Sequence, residues 1–96
     1  MNPTESSAGR FGPHDLSGRL LRAARALAGV KAEDLAAHSK LGLATIKRAE
    51  ASEGPTRLTE ANAERLIEAL EHFGVEMVWG EAGAHGVRLK PSSADT

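Results

Sequence analysis

The chain has no cysteine and no tyrosine, and only two phenylalanines and one tryptophan. Without cysteine there is no disulfide framework and no thiolate-ligated metal. No apolar run approaches the length of a membrane-spanning helix, and no charged-then-apolar leader opens the sequence. A cytoplasmic protein with no membrane partner is therefore the default expectation. Sites for chemistry are equally scarce. His14, His38, His72 and His85 are far apart in sequence and lack metal-ligand spacing. Nothing resembles a nucleophile elbow, and the glycines from Gly80 onward do not follow the strand-then-helix order of a phosphate loop. An enzyme, a resident metal and a cofactor are the classes these absences speak against.

What remains is 96 residues that are 41% apolar and rich in Ala and Leu. That is enough for one domain with a small core, and the usage favours helices over strands. The net charge of −1 conceals an asymmetry. Residues 1–50 hold eight Lys/Arg and five Asp/Glu, whereas residues 51–96 hold four and eight. The excess of cations concentrates in Arg19, Arg22, Arg25, Lys31, Lys40, Lys47 and Arg48. For an anionic partner the local field matters more than the total.

Residues 1–13 are Pro-, Gly- and Ser-rich without periodicity and read as a disordered tail. Ser17 is placed to cap a helix running to Ala28, with Leu20, Ala24, Leu27 and Ala28 as its apolar stripe and Gly29 as its stop. A second helix is expected from Ala32 to Ser39, with Glu33 and Asp34 favourable at its N-terminus. A third should cover Leu43 to Ala49. Ser52-Glu53-Gly54-Pro55 is a loop by composition. Thr59 caps a longer fourth helix whose core face is Leu66, Ile67, Leu70 and Phe73, and Gly74 ends it. Its residues Glu60, Glu64, Glu68 and Glu71 form an acidic, solvated face. Val75–Trp79 is β-prone, Gly80–Gly83 reads as a turn, and Gly86–Lys90 alternates apolar with basic, so residues 75–90 should form a β-hairpin. Residues 91–96 are a frayed tail.

The second and third helices carry the functional signal. They are joined by only Lys40-Leu41-Gly42, a link too short for side-by-side packing, so they must cross steeply. The later helix then stands proud of the domain, where it can enter a DNA major groove. Arg25-Ala26-Leu27-x-Gly29, then Leu35-Ala36, then Ala44-Thr45-Ile46-Lys47-Arg48-x-Glu50 resembles the Cro/cI-type (xenobiotic-response-element-like) helix-turn-helix family. The likeness extends more loosely through the fourth helix, Gly74-Val75-Glu76-Met77-Val78 and Gly86-Val87-Arg88-Leu89-Lys90, an ending similar to that of small bacterial regulators.

The resemblance implies a mainly α fold: a four- to five-helix, lambda-repressor-like helix-turn-helix domain over residues 14–74 with a C-terminal β-hairpin. It implies that Leu43, Ala44, Lys47 and Arg48 face base edges, where Lys and Arg donate to guanine and the apolar side chains meet thymine methyls. Thr45 would meet a phosphate, with Lys31, Lys40 and Gly42 on the rim of the same surface. Ala36 allows close approach of the two helices, and Leu35, Leu41 and Ile46 plug the space under the turn. Arg25 and Glu50 match an ion-paired position. Three residues depart from the family pattern: Lys40 where Gly is common, Gly42 where Ser or Thr caps the reading helix, and Ala32 where Gln binds phosphate. Lys31 can replace that Gln electrostatically.

The expected function is a sequence-specific transcriptional regulator, a repressor acting as a homodimer on an inverted-repeat operator and nucleoid-associated when bound. The alternative is an antitoxin that regulates its own gene through the same motif and binds a toxin through a terminal segment. A third reading uses the helical scaffold for protein interaction alone. Because a two-stranded hairpin is marginal by itself, the C-terminal strands are expected to build the dimer together with the fourth helix, through Val75, Met77, Trp79, Val87 and Leu89.

Overall fold

A computed structural model describes residues 11–81 and 84–91. Most of the expected N-terminal tail, Ala82 and Gly83 of the expected turn, and residues 92–96 lie outside the described residues. Among them the chain is mainly helical. A short 3-10 turn, Pro13–Asp15, precedes α1 (Gly18–Ala28), α2 (Ala32–Ser39), α3 (Leu43–Ala51) and α4 (Glu60–His72), then strands β1 (Val75–Val78) and β2 (Gly86–Leu89). No helix among the described residues is long and apolar enough to cross a membrane.

The helix ends follow local chemistry. Ser17 accepts a hydrogen bond from the Leu20 N–H, and Thr59 accepts one from the Asn62 N–H, so both N-termini have side-chain caps. Asp34 accepts from the Lys31 N–H at the start of α2, where a carboxylate also suits the helix dipole. Gly29 ends α1 at φ 73° and Gly74 follows α4 at φ 92°, left-handed conformations that cost glycine little.

Leu16, Leu21, Leu35, Ile46, Leu66, Leu70 and Val75 form the fully buried centre, with Ala24, Ala49, Ala63 and Ala69 letting the helices approach. The phase of α1 differs from the sequence expectation. Leu21 is its central core residue, Leu20 is half-buried and Leu27 is 40% exposed. Adjacent leucines and a run of alanines offer two overlapping stripes, and packing against α3 and the hairpin selects the one through Leu21 and Ala24. In α4, Ala63 and Ala69 join Leu66 and Leu70 in the core, while Ile67 sits half-buried on the flank.

β1 and β2 pair antiparallel, with Val75 opposite Leu89, Met77 opposite Val87 and Glu76 opposite Arg88. The hairpin packs on α1 and α4. Val75 is entirely buried in this chain's own core, and Met77, Trp79 and Val87 pack against that core. Leu89, at the end of β2, remains 59% exposed. On the other face Arg88 and Glu76 form an ion pair at 2.5 Å. Near the start of the described residues the Phe11 ring meets His85 edge-on at 5.0 Å, while Trp79 meets the same imidazole at 5.1 Å.

Candidate functional site

α2 and α3 are joined by Lys40, Leu41 and Gly42. Lys40 ends α2 in a left-handed conformation, φ 65°, with its N–H donating to the Ala36 carbonyl. Ser39, only 5% exposed, holds the turn from inside: its hydroxyl donates to the Ala36 carbonyl and accepts from the Leu41 N–H. Leu35 and Ile46 are fully buried, and Leu41 of the turn is partly buried against the core. Gly42 caps α3 without a side-chain hydrogen bond.

The burial of α3 alternates with helical period. Ile46, Ala49 and Glu50 face inward, whereas Ala44, Lys47, Arg48 and Ala51 are exposed. Those four positions are spaced as one helix face. Thr45 is half-buried on its margin, with the Arg48 guanidinium 3.5 Å from its hydroxyl. Leu43 packs against the core, so its side chain is only partly available at the start of that face. Lys31, Lys40 and Gly42 are exposed. The acidic side chains of α4, Glu60, Glu64, Glu68 and Glu71, are also exposed, on a different element from the cations of α3.

The pose of α3 is fixed by its C-terminal end. Arg25 grips the Glu50 carboxylate with two hydrogen bonds, Nε to Oε2 at 2.6 Å and Nη2 to Oε1 at 3.0 Å, and its Nη1 donates to the Val30 carbonyl at 3.2 Å. One guanidinium thus ties α1 to the end of α3 and to the link preceding α2. The hydrogen bond to Glu50 raises the Arg25 pKa above its ordinary value, against the opposing effect of burial. Arg22 donates to the Glu50 carbonyl, satisfying one of the acceptors that a helix C-terminus leaves open.

Gly18 completes this junction. A Cβ there would stand 1.9 Å from the Ser52 carbonyl oxygen and 2.7 Å from that of Ala49, so only glycine lets the start of α1 meet the end of α3. The loop after α3 is laced to the same place, the Gly18 N–H donating to Gly54 and the Thr56 N–H to Leu16. Sequence reasoning missed Gly18, Arg22 and Ser39, whose roles depend on backbone far along the chain or on a turn geometry. The one local signal was a glycine directly after a helix cap.

Between the C-terminal half of α3 and residues 56–58 lies a cleft of about 510 Å³, lined by Thr45, Arg48, Ala51, Thr56, Arg57 and Leu58 among others. Elsewhere, His38 of α2 and His72 of α4 converge as stacked rings 3.9 Å apart, with Phe73 edge-on to both. Parallel imidazoles direct their in-plane lone pairs side by side, not toward one ion. No group of three potential ligands gathers among the described residues. No protein-family model, curated protein or solved structure matches the chain.

Proposed function

We propose that the chain is a sequence-specific DNA-binding transcriptional regulator that reads the major groove with α3 and acts as a homodimer on an inverted repeat. The observation that carries this reading is the exposed face of α3. Lys47 and Arg48 lie on it beside the small Ala44, with Lys40 exposed on the turn before it and the rear of the helix locked by Arg25 and Glu50. Two adjacent cations beside a small apolar side chain on an exposed helix face suit a groove lined by guanine acceptors and thymine methyls. Thr45, Lys31, Lys40 and the Gly42 backbone supply rim contacts to phosphate. Repression follows most simply, because a bound dimer occludes a promoter. Cytoplasmic residence and association with the nucleoid belong to the same proposal.

Selection of duplexes from a random pool, followed by titration of the winner at several salt concentrations, tests it. The expected result is one enriched, palindromic sequence whose affinity falls steeply with salt. Lys47→Ala and Arg48→Ala should each lower specific affinity by about 1–3 kcal/mol while the circular dichroism stays unchanged. Equal affinity for all duplexes, or no effect of either substitution, would sink the reading.

A further inference from the structure

The cleft behind the exposed face of α3 joins Thr45 and Arg48 to residues that the DNA reading leaves unused, Thr56, Arg57 and Leu58 among them. Two guanidinium groups, Arg48 and Arg57, line it together with the hydroxyl-bearing Thr45 and Thr56, while Ala49 and Leu58 give it an apolar wall. Its volume of about 510 Å³ lies in the range of small-molecule sites, which combine an apolar lining with a few convergent polar groups. Among the described residues no carboxylate lines it to neutralise the two arginines.

The backbone adds a second, independent observation. Arg57 is held at φ 64°, a left-handed conformation that L side chains avoid and that glycine would adopt freely. Its neighbours hold it there. Thr56, 9% exposed, is hydrogen-bonded through its N–H to Leu16 and accepts the Leu58 N–H on its hydroxyl, and Leu58 packs on the core. A large cation on a strained residue, beside a second cation and an apolar wall, is a costly arrangement for mere solvation. Strain of this kind gathers at ligand clamps.

We infer that this cleft is a binding site for a small organic anion, a carboxylate or phosphate ester with an apolar body, and that its occupancy opposes DNA binding. Arg57 and Arg48 take the anionic head, Thr45 and Thr56 offer hydroxyl donors, and the body lies against Leu58 and Ala49. The opposition follows from Arg48, which cannot serve the ligand and a base edge together. This second half rests on the DNA reading, whereas the binding itself does not. The apolar wall separates the proposal from a simple phosphate clamp, for which an apolar surface adds nothing.

The test uses the full chain and three probes: hexanoate, its uncharged analogue hexanamide, and inorganic phosphate. Titrations followed by amide chemical shifts should place hexanoate at Thr45, Ser52 and Leu58. Hexanamide and phosphate should each bind about tenfold more weakly, since each lacks either the charge or the apolar body. Arg57→Gly relieves the strain, so its melting temperature should hold or rise while hexanoate affinity falls about tenfold. Ala51→Glu, an exposed position, puts a carboxylate in the cleft and should abolish binding in a folded chain. Shifts elsewhere, hexanamide or phosphate binding as well as hexanoate, or parental affinity in Arg57→Gly overturns the site. In a second arm, hexanoate should weaken binding to the selected duplex in the parent and far less in Arg57→Gly, whose substituted position lies off the exposed face of α3. An unchanged duplex affinity with the cleft occupied overturns the opposition and leaves the site standing. A chain that binds no duplex but takes hexanoate refutes the DNA reading and its opposition, and supports the site alone.

Discussion

The Arg25–Glu50 pair concentrates the tertiary information of the molecule in two side chains. Glu50 is only 9% exposed, so a carboxylate left there without its guanidinium would be desolvated and unmatched. Breaking such a pair from one side is more damaging than its net contribution suggests. Arg25→Ala should therefore cost about 2–4 kcal/mol in urea unfolding, tempered by the partial exposure of the arginine. The sign of the pH dependence follows from the raised Arg25 pKa. The arginine's contribution is complete at every pH below its unfolded pKa and is lost only in strong alkali as pH climbs through the higher folded value. Stability profiles of parent and Arg25→Ala should run parallel between about pH 6 and pH 9 on the arginine's account, offset but not converging. Lys40 makes the opposite trade. It sits at φ 65°, so Lys40→Gly should raise stability by about 0.5–1 kcal/mol, the relief of strain less the extra freedom glycine has when unfolded. Under the proposed function the same substitution removes a phosphate contact and weakens binding to all duplexes alike. A gain in melting temperature with a loss of affinity is the expected pair of results.

Among the elements, the hairpin shows how burial separates residues that sequence pattern groups together. Val75 and Leu89 face each other across the ladder, yet one is completely buried and the other 59% exposed. Val75→Ala should cost about 2 kcal/mol, whereas Leu89→Ala should stay within about 0.5 kcal/mol in the same denaturation experiment. Removing residues 75–96 would strip Val75 from the core and unfold the chain, not merely separate two copies. The contrast shows what local sequence encodes. Ser17 and Thr59 as caps, Gly29 and Gly74 as stops, the short Lys40–Gly42 link and the outward face of α3 were legible because each rests on neighbours within one or two turns. The stripe of α1 was not, because Leu20 and Leu21 are equally apolar and only the approach of α3 and the hairpin decides between them. Gly18 and Arg57 were illegible for the same reason, since a carbonyl 34 positions away or a strained φ leaves no trace in composition.

For the whole molecule, the question is where a second copy would sit. Under the proposed function one reading helix spans few base pairs, and a two-fold dimer would roughly double the specific contacts while matching an inverted repeat. Of the hairpin's inner residues Val75 is inaccessible, while Met77, Trp79 and Val87 pack against the core and stay partly exposed. What the surface offers instead is Leu27 on the last turn of α1 and Leu89 at the end of β2, the large hydrophobics exposed among the described residues, on two elements that touch. Among the described residues each strand of the two-stranded sheet also has one edge without a strand partner, and open edges invite pairing. A dimer seam along α1 and β2 would cover both leucines and one edge, leaving the exposed face of α3 free. Replacing both leucines by lysine, Leu27→Lys with Leu89→Lys, puts like charges on each side of such a seam without touching the buried core. Light scattering at micromolar concentration should show a dimer for the parent and a monomer for the double variant, with the melting curve of the diluted chain unchanged. Its affinity should fall sharply for a full inverted repeat and little for an isolated half-site, because each α3 remains intact. A parent that is already monomeric, or a double variant that stays dimeric, removes this seam from consideration.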